Sequence, residues 1–318
     1  MALAAFCLAS LDAAAEWYGE AIDLMGTRVS VELWHDEAAA AERLVVQVLD
    51  EYRRIDREMS TYRNDSRLSE INRGAVTRAV PTGNELFELL EQALKLSVAS
   101  HGAFDISYES VGYLYDFRAR RRPDDTQIAS GLAGVDYRRI RLDPAQRTIR
   151  FDAPGMRINL GGIAKGHAVE RAARLLRNAG VRHALLNAGG DTRVVGDRRG
   201  QPWIVGIRHP RFDDAVVTRL PLVDEAISTS GDYERFFEED GQRYHHIINP
   251  STGRPSEGIL SATVIGPDAT LTDGLSTTAF VLGVEQGIAL VDSFERYELV
   301  IVDAAGSLFY SSGLTPPQ

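Results

Sequence analysis

The 318-residue sequence holds one cysteine, Cys7, so neither an internal disulfide nor a thiolate metal cluster can form. It lacks an HExxH pattern, a GxxxxGK[ST] phosphate loop and a GxSxG nucleophile elbow, which removes three common catalytic signatures. Basic charge is in deficit: 35 Lys and Arg against 45 Asp and Glu leave a net charge of −10. A nucleic-acid binder would need a dense local basic patch on that background. The one candidate, Arg118-Ala119-Arg120-Arg121-Arg122, runs straight into Pro123-Asp124-Asp125 and reads as a solvated loop. Long apolar runs are also missing, since residues 2–11 are apolar apart from Ser10 but too few to span a bilayer.

Those residues, followed by Ala13-Ala14-Ala15 before Glu16, look like the apolar part and cleavage site of a secretory signal peptide. Residues 1–20 are therefore expected to be a signal peptide or a disordered N-terminus. Residues 21–318 are expected to form one folded unit, working in the periplasm or otherwise outside the cytoplasm. Hydrophobic residues at 44% and charged residues at 25% suit a soluble globular chain with a sizeable core.

Alternation of Val29, Val31 and Leu33 with polar neighbours predicts a half-buried strand over 27–34. Leu44, Val48, Tyr52, Ile55 and Met59 lie at helical spacing, predicting a long core helix capped by Asp36. A second helix is expected over 84–100 and a third over 164–178, ending at Gly180. Residues 60–83 read as turn-rich. Short strands follow near 183–188, 192–196, 203–208, 216–223, 225–230, 243–248 and 261–266, then helices near 273–282 and 284–294 and a closing hairpin. Strands in runs with helices grouped between them predict an α+β fold with mixed or antiparallel sheets.

Five clusters could carry chemistry. In Asn159-Leu160-Gly161-Gly162-Ile163-Ala164-Lys165-Gly166, paired glycines precede a helix whose free N–H groups suit an anion. The bland reading is a tight turn with an exposed lysine. In Thr272-Asp273-Gly274-Leu275-Ser276-Thr277, Asp273 and Thr277 lie one helical turn apart, a hard oxygen set suited to Mg²⁺. The bland reading there is capping by Thr272 or Asp273. His245 and His246 should point to opposite faces of a strand, so one metal cannot take both. Gly102-Ala103-Phe104-Asp105 leaves the second helix, and Met59-Ser60-Thr61-Tyr62 offers an aromatic that could stack on a flat ring. A Ser/His/Asp hydrolase built on Ser228 or Ser230 has no elbow spacing to support it.

Taken together, these pieces resemble the ApbE-like flavin transferases. Met25-Gly26-Thr27, Met59-Ser60-Thr61-Tyr62, Gly102-Ala103-Phe104-Asp105 and Asn159-Leu160-Gly161-Gly162-Ile163-Ala164-Lys165-Gly166 match in order. Asn187-Ala188-Gly189-Gly190-Asp191, Ala226-Ile227-Ser228-Thr229-Ser230-Gly231, His246-Ile247-Ile248-Asn249-Pro250 and Asp273-Gly274-Leu275-Ser276-Thr277-Thr278 follow. The resemblance implies Mg²⁺-dependent transfer of the FMN half of FAD to a threonine or serine hydroxyl of an acceptor protein, with release of AMP. Hydrolysis of FAD to FMN and AMP, or flavin carriage without catalysis, are the alternatives. It implies that Met25, Tyr62, Ala103, Phe104, Asp105, Asn159, Lys165 and Ile247 line the FAD site. The metal would fall to Gly162, Asp273, Ser276 and Thr277. His246 would take the acceptor proton at a near-neutral pKa, with Asp105 or Asp273 as rival base. The acceptor would be a membrane redox-complex subunit or an extracytoplasmic electron-transfer domain. Asn159 and Asn249 stand where the family's motifs more often carry aspartate.

Overall fold

The computed structural model describes residues 16–212 and 215–314. The expected signal segment therefore lies almost wholly outside the described residues, but residues 16–20 do not belong to it structurally. They open strand β1 (Glu16–Leu24), so among the described residues the folded unit starts at Glu16 and not at residue 21. β1 pairs with β2 (Thr27–His35) around Met25 and Gly26, both at positive φ, as a two-residue hairpin turn requires.

Helix α1 (Ala38–Met59) buries the expected stripe, but Glu37, not Asp36, is its N-cap residue and makes no side-chain cap. The 60–83 stretch holds an unexpected helix, α2 (Arg67–Gly74), capped by Ser66, followed by β3 (Val80–Pro81). Its eight residues are too few for the periodicity to stand out. Helices α3 (Asn84–Ala99), α4 (Glu109–Gly112) and α5 (Asp125–Leu132) come next, then a hairpin of β4 (Ile140–Asp143) and β5 (Thr148–Phe151). The arginine-rich loop before α5 is exposed and partly ion-paired, with Arg121 on Asp116 and Arg122 on Glu239.

The second half supplies α6 (Ala164–Asn178), β6 (Ala184–Ala188), β7 (Asp191–Val195), β8 (Trp203–Arg208), β9 (Val216–Leu222) and β10 (Ala226–Gly231). Then come β11 (Phe236–Glu239), β12 (Gln242–His245), β13 (Ile248–Asn249), β14 (Arg254–Pro255), β15 (Ile259–Gly266) and α7 (Ala269–Leu282). α8 (Val284–Asp292), β16 (Glu298–Asp303) and β17 (Leu308–Tyr310) close the described chain. The strand expected over 243–248 is broken at His246 and Ile247, between β12 and β13.

One eight-stranded sheet, in the order β1-β2-β6-β7-β10-β15-β16-β17, organises the molecule. Every pairing in it is antiparallel, which settles the mixed-or-antiparallel expectation. Helices α1, α6 and α7 cover one face, where Val31, Val264 and Ile301 meet Val48, Tyr52, Val169 and Ala172. The alternate residues Val194, Ile227, Ile265 and Val300 pack on the other face beneath the β8–β9 ribbon with Trp203, Ile207 and Leu222. Burial on both faces shows in β15, where every residue but Leu260 is buried, Ser261 and Thr263 included.

Candidate active site

The site forms where α6 starts against α7. At Gly166 a Cβ would stand 2.1 Å from the Ala269 carbonyl oxygen and 2.6 Å from Asp273 Cβ, so only glycine lets these helices approach so closely. The approach brings Asp273 Oδ2 to 2.9 Å from the Gly166 N–H. α6 has no side-chain cap of its own, and this first-turn amide is one of its orphan donors. Asp273 thus caps a helix, but not its own. α7 begins at Ala269, a turn earlier than expected, and its local cap is Asp268, which accepts from Leu271 N–H at 3.0 Å. Both bland capping readings of Thr272 and Asp273 are corrected accordingly.

The same carboxylate faces Lys165, whose Nζ lies 3.5 Å from Asp273 Oδ1 and 2.6 Å from Asp191 Oδ2. Asp191 opens β7 and is 1% exposed. Burial alone pushes the Lys165 ammonium down, but Asp191 and Asp273 together outweigh it and the net shift is up. Burial first, and Asp191 second, push the Asp273 carboxyl up against the pull of Lys165. Two carboxylates sharing one ammonium leave no positive charge to spare at this buried centre. Lys165 is therefore not the exposed lysine of the bland reading, nor a free cation for an anion at the helix start.

Hydroxyls complete the set. Ser230 Oγ on β10 lies 2.9 Å from Ser276 Oγ and 3.1 Å from Thr277 Oγ1. Thr277 is half-buried between fully buried Ser276 and Thr278, so its side chain is the open one. Gly162 packs on Thr277, with a built Cβ only 3.1–3.2 Å from its side chain, and on Phe104 at 3.3 Å. Gly162 and Ser230 thus converge on Thr277 and Ser276, one turn along α7 from Asp273. Among the described residues there is no group of three or more His, Cys, Asp or Glu able to hold a metal. Carboxylates and hydroxyls, with no imidazole or thiolate, fit a hard cation such as Mg²⁺.

His246 occupies the break between β12 and β13, its N–H held by the Arg235 carbonyl at 3.1 Å. Its Nδ1 is buried and has no hydrogen-bond partner among the described residues. Burial, then Arg235, His245 and Lys165, push its pKa down to about 3, so the expected near-neutral value does not hold in this environment. The ring is neutral throughout the physiological range. His245 is the structural member of the pair: it is buried, its Nε2–H donates to the Ser256 carbonyl at 2.8 Å, and it meets Phe280 edge-on.

The remaining expected residues divide. Asn159 Oδ1 accepts from Gly161 N–H at 2.7 Å, and its Nδ2 donates to Glu109 Oε2 at 2.9 Å. Burial pushes Glu109 up to about 7, against the Asn159 hydrogen bond and Arg157. Tyr62 is 72% exposed, and its hydroxyl accepts from Arg235 Nη1 at 2.9 Å. Arg235 also overlies Gly26, next to Met25. Phe104 and half-buried Ala103 sit beside Gly162 and the end of α3. Asp105 is different. Both its oxygens are engaged, one by Ser107 N–H and Oγ (2.8 and 2.6 Å) and the other by Tyr137 N–H (2.9 Å). It anchors a loop, which leaves it poorly suited to act as a base. The Ile247 side chain lies in the main core, and its backbone is engaged too, the N–H by His245 Nδ1 at 3.3 Å and the carbonyl by Ser256 N–H at 2.9 Å. Asn249 Oδ1 accepts from Ser251 N–H at 2.9 Å, a turn that aspartate would make equally well.

Asp191, Ser230, Glu109 and Arg235 are the residues that sequence reasoning passed over. Asp191 and Ser230 lay inside quoted motifs, ending Asn187-Ala188-Gly189-Gly190-Asp191 and near the end of Ala226–Gly231. Nothing local marked Glu109 or Arg235.

Fold and site together define a flavin-transferase type of protein. The ApbE family model matches residues 25–301, and the chain belongs to that family. Proteins named FAD:protein FMN transferase are similar along most of its length. One from Klebsiella pneumoniae is 32% identical, covering 93% of this chain and 92% of its own. One from Vibrio cholerae is 31% identical, covering 87% and 85%. Among solved structures, the ApbE protein of Thermotoga maritima superposes with a TM-score of 0.87 at 31% identity, covering 94% of this chain and 98% of its own. The flavin transferase ApbE from Vibrio cholerae gives 0.83 at 28%, with the same coverage.

Proposed function

We propose that the protein transfers the FMN half of FAD, in the presence of Mg²⁺, to a threonine or serine hydroxyl of an acceptor protein and releases AMP. The observation that carries this reading is the meeting of the Asp191–Lys165–Asp273 centre with Thr277, Ser276 and Ser230 in a chain whose relatives bear that activity in their names. The cation would be held by Asp273, Thr277 and the Gly162 carbonyl, with Ser276 beside them. When bound it would neutralise charge on the phosphates.

In the transfer, the acceptor hydroxyl oxygen forms a bond to the FMN phosphorus. The phosphorus–oxygen bond to the AMP half breaks, and AMP leaves with the bridging oxygen. Such a displacement needs alignment and charge stabilisation more than covalent help from the protein. The neutral His246 ring, with Nδ1 unclaimed by any described residue, is the base nearest in kind to the hydroxyl proton. Lys165 holds Asp191 and Asp273 in register, and Asn159 braces the Gly161–Gly162 turn. The apolar residues 2–11 and the alanines before Glu16 support an extracytoplasmic setting and an acceptor in a membrane redox complex or exported electron-transfer domain.

The test is incubation with FAD, Mg²⁺ and an acceptor domain carrying an accessible threonine, measuring AMP and acid-stable flavin on the acceptor. Covalent flavin with matching AMP is expected. AMP with free FMN and no covalent flavin across several acceptors would make the protein a pyrophosphatase. Flavin binding without AMP would leave only a carrier.

A further inference from the structure

The turn between β10 and β11 carries Asp232-Tyr233-Glu234-Arg235. Its two acids are claimed by arginines from elsewhere. Arg211 grips both oxygens of Asp232, at 2.7 and 2.6 Å, and Arg208 meets Glu234 at 2.6 Å. Arg235 has no such partner: among the described residues it makes no ion pair with a carboxylate. Its guanidinium rests on a neutral group instead, donating to the Tyr62 hydroxyl at 2.9 Å with its carbon 5.7 Å from the ring centroid. A Cβ on Gly26 would come within 2.8 Å of its Nη2, and its own carbonyl holds His246. Three segments of the candidate site thus converge on one half-buried cation without a counter-anion.

The charge balance of the site gives that cation a task. Lys165 is already engaged, because two buried carboxylates share it. A dinucleotide diphosphate brought to that centre therefore finds no free side-chain cation in it. An arginine fork matches phosphate oxygens in shape and hydrogen bonding far better than it matches a phenol. We propose that Arg235 is a diphosphate-binding residue of this site, parked on Tyr62 when the site is empty and transferred to phosphate oxygens when a flavin dinucleotide enters. The inference rests on the reading of the site as an FAD site. It adds a role for a residue on the β10–β11 turn that none of the sequence motifs singled out.

The test compares binding of riboflavin, FMN and FAD to the full chain by quenching of flavin fluorescence, in EDTA and again with Mg²⁺. Riboflavin has no phosphate and FAD has two. In Arg235→Met, FAD affinity is expected to fall about tenfold or more while riboflavin affinity changes by less than about twofold. Arg235→Lys should recover part of the loss, and the salt dependence of FAD binding should be shallower in Arg235→Met than in the parent. Unchanged FAD affinity in Arg235→Met overturns the proposal. Equal losses for riboflavin and FAD overturn it too, since Arg235 would then merely hold Tyr62 in place. If the parent protein binds no FAD under either condition, the FAD reading itself falls, and this proposal with it.

Discussion

Replacing Asp273 by Asn separates what this residue does for the fold from what it does for chemistry. The amide keeps an acceptor for the Gly166 N–H, now 2.9 Å from Oδ2, so the tertiary cap of α6 survives. What goes is the long 3.5 Å contact with Lys165, worth about 0.5–1 kcal/mol at a partly exposed ammonium. What is relieved is a buried carboxylate facing a second one, a strain of about 1–3 kcal/mol. Without divalent cation, Asp273→Asn should therefore match the parent in stability or exceed it by up to about 2 kcal/mol in urea unfolding. Asp273→Ala removes the acceptor as well and leaves the Gly166 N–H unpaired, so it should fall about 1–3 kcal/mol below the Asn variant. Mg²⁺ should raise the melting temperature of the parent and leave both variants where they are. Both variants should lose AMP release. An Asn variant more than about 2 kcal/mol less stable than the parent in EDTA would refute the charge argument, and equal stability of Asn and Ala would refute the cap.

Four further outcomes follow from the same geometry. Gly166→Ala places a methyl 2.1 Å from the Ala269 carbonyl and should cost about 1–3 kcal/mol or more, seen as a clear drop in melting temperature. Lys165→Met leaves Asp191 and Asp273 without their shared ammonium, and urea unfolding at pH 8 should show a loss of about 3 kcal/mol that shrinks when Mg²⁺ is added. Glu109 has a folded pKa near 7 against 4.5 for the free side chain, so the native state holds its proton between those values. Its contribution to stability is full below about pH 4.5 and is lost as pH rises through about 7. Glu109→Gln should flatten that dependence and be more stable than the parent at pH 8 by at most about 3 kcal/mol. Asn159→Asp should lose stability at pH 8 and regain it when combined with Glu109→Gln, as a double-mutant cycle would show.

The long helices were legible because 3.6-residue periodicity is a local signal. α1, α3 and α6 fall where Leu44 to Met59, residues 84–100 and residues 164–178 place them, although Val98, at helical spacing in α3, is exposed. The helix before β3 was not legible, because eight residues give barely two turns of pattern and its cap, Ser66, sits in a run of turn-forming residues. The start of α7 was misplaced because Thr272 and Asp273 look like caps when the partner that uses Asp273 is not in view. The resemblance of motifs brought together Gly162, Asp273, Ser276 and Thr277 before any coordinates did.

The sequence by itself determined which elements form, which faces are apolar and which polar residues are gathered into motifs. These depend on spacing along the chain and on turn chemistry. Tertiary structure alone decided which of those polar residues share charge. Asp191 reaches Lys165 from 26 positions away, Asp273 caps α6 across 107, and Glu109 meets Asn159 across 50. It also decided that Asp105 is spent on a loop, that His246 is neutral, and that the carboxylates beside Arg235 in sequence, Asp232 and Glu234, go to Arg211 and Arg208 instead. A periodic pattern says that a face is buried but not against what. The partner of a buried charge is chosen by the packing of helix on helix and strand on strand, where a missing Cβ at Gly166 counts for more than any local preference.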